Sequence, residues 1–151
     1  MATFTIKLPD LAPLQKQLKA LPARLAKKVI RQALRAGAKV IRAEAVSRAP
    51  VDTGMTKKAI KVRVGKRSRK PRLWVNTQVG AGDYKGETFY AAFLEYGHLS
   101  GKRGSDGRQP VEAKPFMRPA AEASEKQAGA IVRAELAKGI EREAAAMKAA
   151  K

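Results

Sequence analysis

Cysteine is absent from this chain of 151 residues, and histidine occurs once, as His98. Disulfides, thiolate metal sites and cysteine nucleophiles are therefore excluded, as is any zinc site built on two histidines one helical turn apart. Aromatic residues make up only 5% of the chain, and alanine is the commonest type in the 44% that is apolar. Alanine favours helix but buries little area, so a thin core is expected, completed by packing on a copy or a partner. Acids are also scarce. The 32 Lys+Arg against 13 Asp+Glu leave a formal charge of +19, which calls for an acidic partner, either nucleic acid or an acidic protein surface. No apolar run approaches the ~18 residues needed to span a bilayer. No apolar stretch of the secretory-signal kind opens the chain. A cytoplasmic protein with no membrane segment is expected.

What is present reads as one small α+β domain over residues 1–151. "TFTIKL" alternates as a strand over residues 3–8, and Asp10 can cap the helix that follows. Leu11, Leu14, Leu18, Leu21 and Leu25 recur at steps of three or four, which is helical periodicity. Pro22 does not sit in a helix interior, so helices are expected over about 11–20 and 22–48. The second continues through Val29, Ala33, Ala36, Val40 and Ile41 until Pro50 ends it. Lys16, Lys19, Lys27, Arg31, Arg35 and Arg42 fall on the wet side of the two helices. Two alternating runs, "AIKVRVG" and "LWVNTQVG", predict a β-hairpin over 57–80 with a basic tip. A short helix over 88–97 places Phe89, Phe93 and Tyr96 at helical spacing, and Gly97 is a natural stop. A Gly-rich basic stretch over 99–110, with Lys102, Arg103 and Arg108, reads as a mobile loop and His98 as a loop residue. After the extended "VEAKPF", a C-terminal helix is expected over about 118–148. Its sparse stripe is Ile131, Val132, Leu136, Ile140 and Met147. The fold predicted is a small antiparallel sheet (N-terminal strand, basic hairpin, later extended segment) packed on a long N-terminal helix and a C-terminal helix.

Asp52-Thr53-Gly54 is the tripeptide of aspartic proteases, but its context differs. Such a catalyst ends a strand after bulky apolar residues and shares a proton with a second aspartate ~3 Å away. Here the tripeptide follows Pro50 after a helix, and Lys57 and Lys58 would hold Asp52 ionised. The simpler reading is a helix-to-strand corner: Asp52 closes an Asx-turn and Gly54 supplies a positive φ. No catalytic residue, metal ligand or cofactor is assigned.

Two further sets stand out. No acid separates Asp52 from Asp83, and Lys57, Lys58, Lys61, Arg63, Lys66, Arg67, Arg69, Lys70 and Arg72 fall in that gap. They can track phosphates or meet an acidic protein, or they can simply be solvated. Trp74 beside them can stack on a base, but a lone aromatic next to a strand is more often core. Glu95, in an otherwise apolar segment, is expected to be partly buried and to need a cation, with Arg118 as the candidate.

Three segments, read in order, carry a resemblance: "APVDTGMTKKAI" after a long basic helix, "YAAFLEYGH", and "AKPFMRPA" leading into the last helix. With "LKALP" ahead of the first long helix, they resemble the minor tail-component family of long-tailed phages and prophages, the head–tail joining or tail-completion (neck) proteins, over roughly residues 11–137. That family usually reads Glu-aromatic-Gly-Thr, and His98 stands where the threonine would be. The resemblance implies a virion structural protein and not an enzyme. It implies a ring, sixfold, at the head–tail junction, assembled in the host cytoplasm around the passage for DNA. Its neighbours would be the head connector or head-closure protein and the tail terminator or tail tube, with sequence-independent contact to phage DNA and no small-molecule substrate. Pro50, Asp52, Thr53 and Gly54 would form the family's corner. Tyr90, Phe93, Glu95, Tyr96 and Gly97 would form its central segment, and Pro115, Phe116, Arg118 and Pro119 the start of its last helix, as core or subunit contacts. A freestanding basic nucleic-acid-binding protein is the alternative.

Overall fold

The computed structural model describes residues 11–50, 54–64, 75–79, 89–101 and 107–150, and the expected strand over 3–8 lies outside them. In chain order the elements are α1 (Ala12–Ala20), α2 (Ala23–Arg48), α3 (Met55–Ala59), β1 (Ile60–Val64), β2 (Val75–Val79), α4 (Tyr90–Tyr96), β3 (His98–Leu99), β4 (Pro110–Val111) and α5 (Met117–Ala149). The class is α+β: an antiparallel hairpin of β1 and β2 packs on α2, and α2 packs along α5.

Prolines set the helix ends. Leu21 is extended (ψ 148°) because the residue before a proline is pushed out of the helical region, and Pro22 then caps α2. Ala49, ahead of Pro50, is extended for the same reason (ψ 131°) and closes α2. The hairpin begins later than its alternation implied. Met55–Ala59 forms the short helix α3 after Gly54, whose φ of 72° few side chains tolerate, so Lys57 and Lys58 lie on that helix and not on a strand. In the hairpin Ile60 pairs with Val79 and Val64 with Val75. Ile60 and Val79 are buried, while Lys61 and Arg63 stay exposed. Two bonds tie the hairpin to α2: Thr77 Oγ1 donates to the Ala38 carbonyl at 3.0 Å, and Arg42 Nε to the Ile60 carbonyl at 2.7 Å. Arg42 stays exposed, as its wet-side position predicts, while its guanidinium reaches the hairpin.

Two small cores lie along α2. Near its start, Val29 and Ala33 meet Val132, Leu136 and Ile140 of α5 and the leucines of α1. Near its end, Ala45 and Ala49 meet Ile60, Val79, Ala91, Phe116 and Ala120. Between them the helices are held by residues too small to register as an apolar stripe, among them Gly37, Ala38, Ala128 and Gly129, all buried. Met147, expected on the buried stripe of α5, is exposed, and Glu143 is the last buried residue of that helix.

Two glycines set how closely the helices approach. A Cβ on Gly37 would lie 2.4 Å from Val132 Cγ2 and 3.2 Å from the Ala128 carbonyl oxygen, and one on Gly139 would lie 2.7 Å from Val29 Cγ1. Glycine in a helix costs about 1 kcal/mol relative to alanine, so Gly37→Ala gains that propensity and loses the fit. Overpacking costs ~1–3 kcal/mol, and here the obstruction includes backbone. Gly37→Ala is expected to destabilise the fold by about 1–2 kcal/mol net in urea unfolding, with Val132→Ala in the same chain recovering part of the loss. A Gly37→Ala protein more stable than the parent would contradict this packing.

An ion pair holds the two helices near the start of α2. Lys28 Nζ lies 2.9 Å from Glu143 Oε1, and Arg142 Nη2 lies 3.3 Å from the same oxygen. The Lys28 hydrogen bond, opposed by burial and helped by attraction to both cations, holds the Glu143 carboxyl below its ordinary value of 4.5. The unfolded chain then takes up the proton at higher pH than the folded one. The pair's contribution is complete above the ordinary carboxylate range and fades as pH falls through the lowered value. Glu143→Gln should therefore lower the urea midpoint at pH 7, and the gap between the two proteins should narrow at pH 3. A gap of equal size at both pH values would show that the pair is not its cause.

Candidate functional site

The centre of the candidate region is Glu95, which is 8% exposed. It lies on the inner side of α4, in a segment whose Tyr90, Phe93 and Tyr96 point outward. Its carboxylate accepts three backbone N–H bonds at the start of α5. Oε2 takes Phe116 at 2.8 Å and Met117 at 3.0 Å, and Oε1 takes Arg118 at 3.0 Å. The next residue, Pro119, has no N–H, and Ala120 donates to the Phe116 carbonyl at 3.2 Å. One side chain thus satisfies every free N–H in the first turn of a helix of 33 residues. A carboxylate at a helix N-terminus is also favoured by the helix dipole.

Arg118 was expected to meet Glu95 as a cation, and it is the Arg118 backbone that meets the carboxylate. A helix start offers several N–H donors in one place, which a single guanidinium pair does not replace. The same junction buries Phe116 to 1% exposure, while Pro115 beside it is exposed and Pro119 half-buried.

Gly97 fixes the turn that follows α4. Its φ is 71°, and a Cβ there would lie 2.8 Å from the Val111 carbonyl oxygen. This close approach lets His98 pair with Val111 and Leu99 with Pro110. Lys114 also donates to the Leu94 carbonyl at 2.7 Å, clamping the incoming chain on α4. The stretch read as a loop over 99–110 is therefore a ladder at its base, because Ser100 and Gln109 bond where the strands close. His98 belongs to that ladder, with its ring stacked on Phe93 at 4.7 Å.

The outer face of α4 and this ladder form an apolar surface. Phe89 and Phe93 meet edge to face at 5.2 Å, and Tyr90 lies 4.0 Å from Phe89. Tyr90 is 61% exposed, Tyr96 53% and Leu99 56%, and Val111 is exposed beside them. Of the two roles expected for Tyr90, Phe93 and Tyr96, core or subunit contact, their exposure leaves the second open. The inner positions went to Ala91, Leu94 and Glu95 instead.

Of the corner residues, Pro50 and Gly54 stand as described above, and Asp52 and Thr53 lie outside the described residues. So do Lys66, Arg67, Arg69, Lys70, Arg72, Trp74, Lys102 and Arg103, while Arg108 is exposed after a turn at Gly107. An open groove of about 410 Å³ between α2 and α5 is lined by Lys39, Val40, Ala43, Glu44, Ser47 and Gln127, a set with no nucleophile–base pairing. Among the described residues no group of three or more His, Asp or Glu could hold a metal, and no helix is long and apolar enough to cross a membrane.

A family model described as "Bacteriophage HK97-gp10, putative tail-component" matches residues 12–97. The match runs from α1 to the stop of α4 and ends at Gly97, before β3, β4 and α5. No curated protein and no solved structure matches the chain.

The Glu95 junction makes a direct prediction. Glu95→Ala would leave three N–H groups without their acceptor, at ~1–3 kcal/mol for each group that water does not reach. A loss of about 2–4 kcal/mol in urea unfolding is expected. Glu95→Gln, which keeps one acceptor oxygen, should fall between that variant and the parent. Unchanged stability in Glu95→Ala would remove this carboxylate as the anchor of α5.

Proposed function

The chain belongs to the HK97-gp10-like family of bacteriophage tail components, and from that premise we propose that it is a non-enzymatic head–tail joining subunit. In this reading, copies form a ring, sixfold, between the head connector or head-closure protein and the tail terminator or tail tube of a long-tailed phage. DNA passes through the ring. The protein assembles in the host cytoplasm and ends in the virion, at the junction.

The observation that carries the reading beyond the family is the uncovered aromatic surface of α4, β3 and β4. A chain with 5% aromatics leaves four of its rings on one outer face, while its buried core is mostly alanine and aliphatic side chains around Phe116. Exposed aromatic clusters of this kind mark protein interfaces. A neighbouring copy seated on Tyr90, Phe93 and Leu99 would complete a burial that the monomer lacks. Pro50 and Gly54 act in this reading as the corner that aims the hairpin, and Pro115, Phe116, Arg118 and Pro119 as the seat of α5. The alternative, a freestanding nucleic-acid-binding protein, draws on the +19 charge and on the cations of the hairpin and α2.

Native mass spectrometry of the protein, stripped of nucleic acid in high salt, tests the ring. A discrete closed oligomer is expected, and Tyr90→Ser with Phe93→Ser should convert it to monomer without unfolding it. A monomer that stays monomeric on purified tails would sink the proposal.

A further inference from the structure

From its first turn to beyond its middle, α2 carries a row of cations. Arg24, Lys27, Arg31, Arg35 and Lys39 are all exposed. At ~100° per residue they share about one third of the helix circumference, one cation per turn over roughly 22 Å. No ion pair joins any of them to another described residue, whereas Lys28 and Arg48 of the same helix are paired with Glu143 and Glu44. Glu44 is the only acid between residues 11 and 49, so the row is not neutralised from its own element. The helix beneath is held by the core of Val29, Ala33, Val132 and Leu136.

We propose that this row on α2 is a binding site for the sugar–phosphate backbone of nucleic acid, read without regard to sequence. A straight line of unpaired cations, spaced by helical turns, suits a polyanion of regular charge. Duplex DNA carries one charge per ~1.7 Å of axis, so each of the five cations has a phosphate within reach of its long side chain. An acidic protein surface fits less well. Protein interfaces take most of their energy from buried aromatic and apolar anchors. Those lie at the other end of α2, where α4 packs on Ala45 and Ala49. The two surfaces thus divide the labour, apolar toward a protein neighbour and cationic toward a nucleic acid. The inference rests on the ring reading only for which nucleic acid is met, and it names the face of the subunit that would line the passage.

Fluorescence anisotropy with a labelled 25-base-pair duplex of mixed sequence, across a salt series, tests it on the full chain. Arg24→Gln, Lys27→Gln, Arg31→Gln and Arg35→Gln together remove four contacts. At ~0.9 per phosphate, the slope of log affinity against log salt should fall by about 3–4. Affinity near 0.15 M salt should drop more than tenfold. Lys126→Gln, Arg133→Gln, Lys138→Gln and Lys148→Gln on α5 give the same net charge, 19 − 4 = +15, and should leave the slope nearly unchanged. Equal losses in both variants would mean bulk charge and no site. A parent chain that ignores DNA but binds polyglutamate through the α2 row would assign the row to an acidic protein and overturn the proposal. Glutamine keeps helix propensity at these exposed positions, and thermal melts check that both variants fold. Native masses of the same samples keep the two proposals apart: a monomer that still binds DNA through the row would overturn the ring and leave the site standing.

Discussion

The three N–H bonds that Glu95 collects at the start of α5 are the constraint on which the rest of the molecule depends. A helix of 33 residues needs acceptors for its first turn. This one begins with Phe116, Met117, Arg118 and the donor-less Pro119, so a single buried carboxylate meets the whole demand. Because Glu95 is on α4, the cap also fixes α4 against α5. It thereby joins the segment that carries the family match to the helix that lies beyond it.

From that anchor α5 runs back along α2, and small residues decide how near it comes. Gly37 and Gly139 stand where a Cβ would strike valine methyls on the opposite helix. The propensity lost at two helical glycines is offset by dispersion contacts over the length of the pair. The Lys28–Glu143 pair then holds the far end of the interface, near the start of α2. A chain poor in large apolar residues is held in this way by close approach, with two modest cores in place of one large one.

The outward consequence is an uneven surface. With Ala91, Leu94 and Glu95 occupying the inner side of α4, its aromatic rings have nowhere to go but outward. They gather with Leu99 and Val111 into one apolar face. The cations of α2, left without acids in their own sequence neighbourhood, form a separate line from the start of that helix to beyond its middle. A tail component meets other virion proteins, and in the proposed reading it also meets the nucleic acid that passes it. A subunit with one face of each kind has the chemistry for that task.

The positions of α1, α2, α4 and α5, the break at Pro22, the end of α2 at Pro50, the hairpin pairing of β1 with β2, and the stop at Gly97 are all written in local sequence, whereas the short α3 is not. Prolines, glycines and alternation act within a few residues of themselves. The resemblance to phage tail components was likewise legible from short motifs, and the family match to residues 12–97 agrees with it. What only the tertiary structure decided is which side of each element faces in. The spacing of Phe89, Phe93 and Tyr96 marks a face without saying whether α5 covers it. Glu95 announces a buried acid without naming backbone N–H groups 21 to 23 residues away as its partners. Gly37 and Gly139 look like defects until the opposing valines are in place. Side-chain periodicity is a property of one segment, whereas burial, capping and close approach belong to pairs of segments.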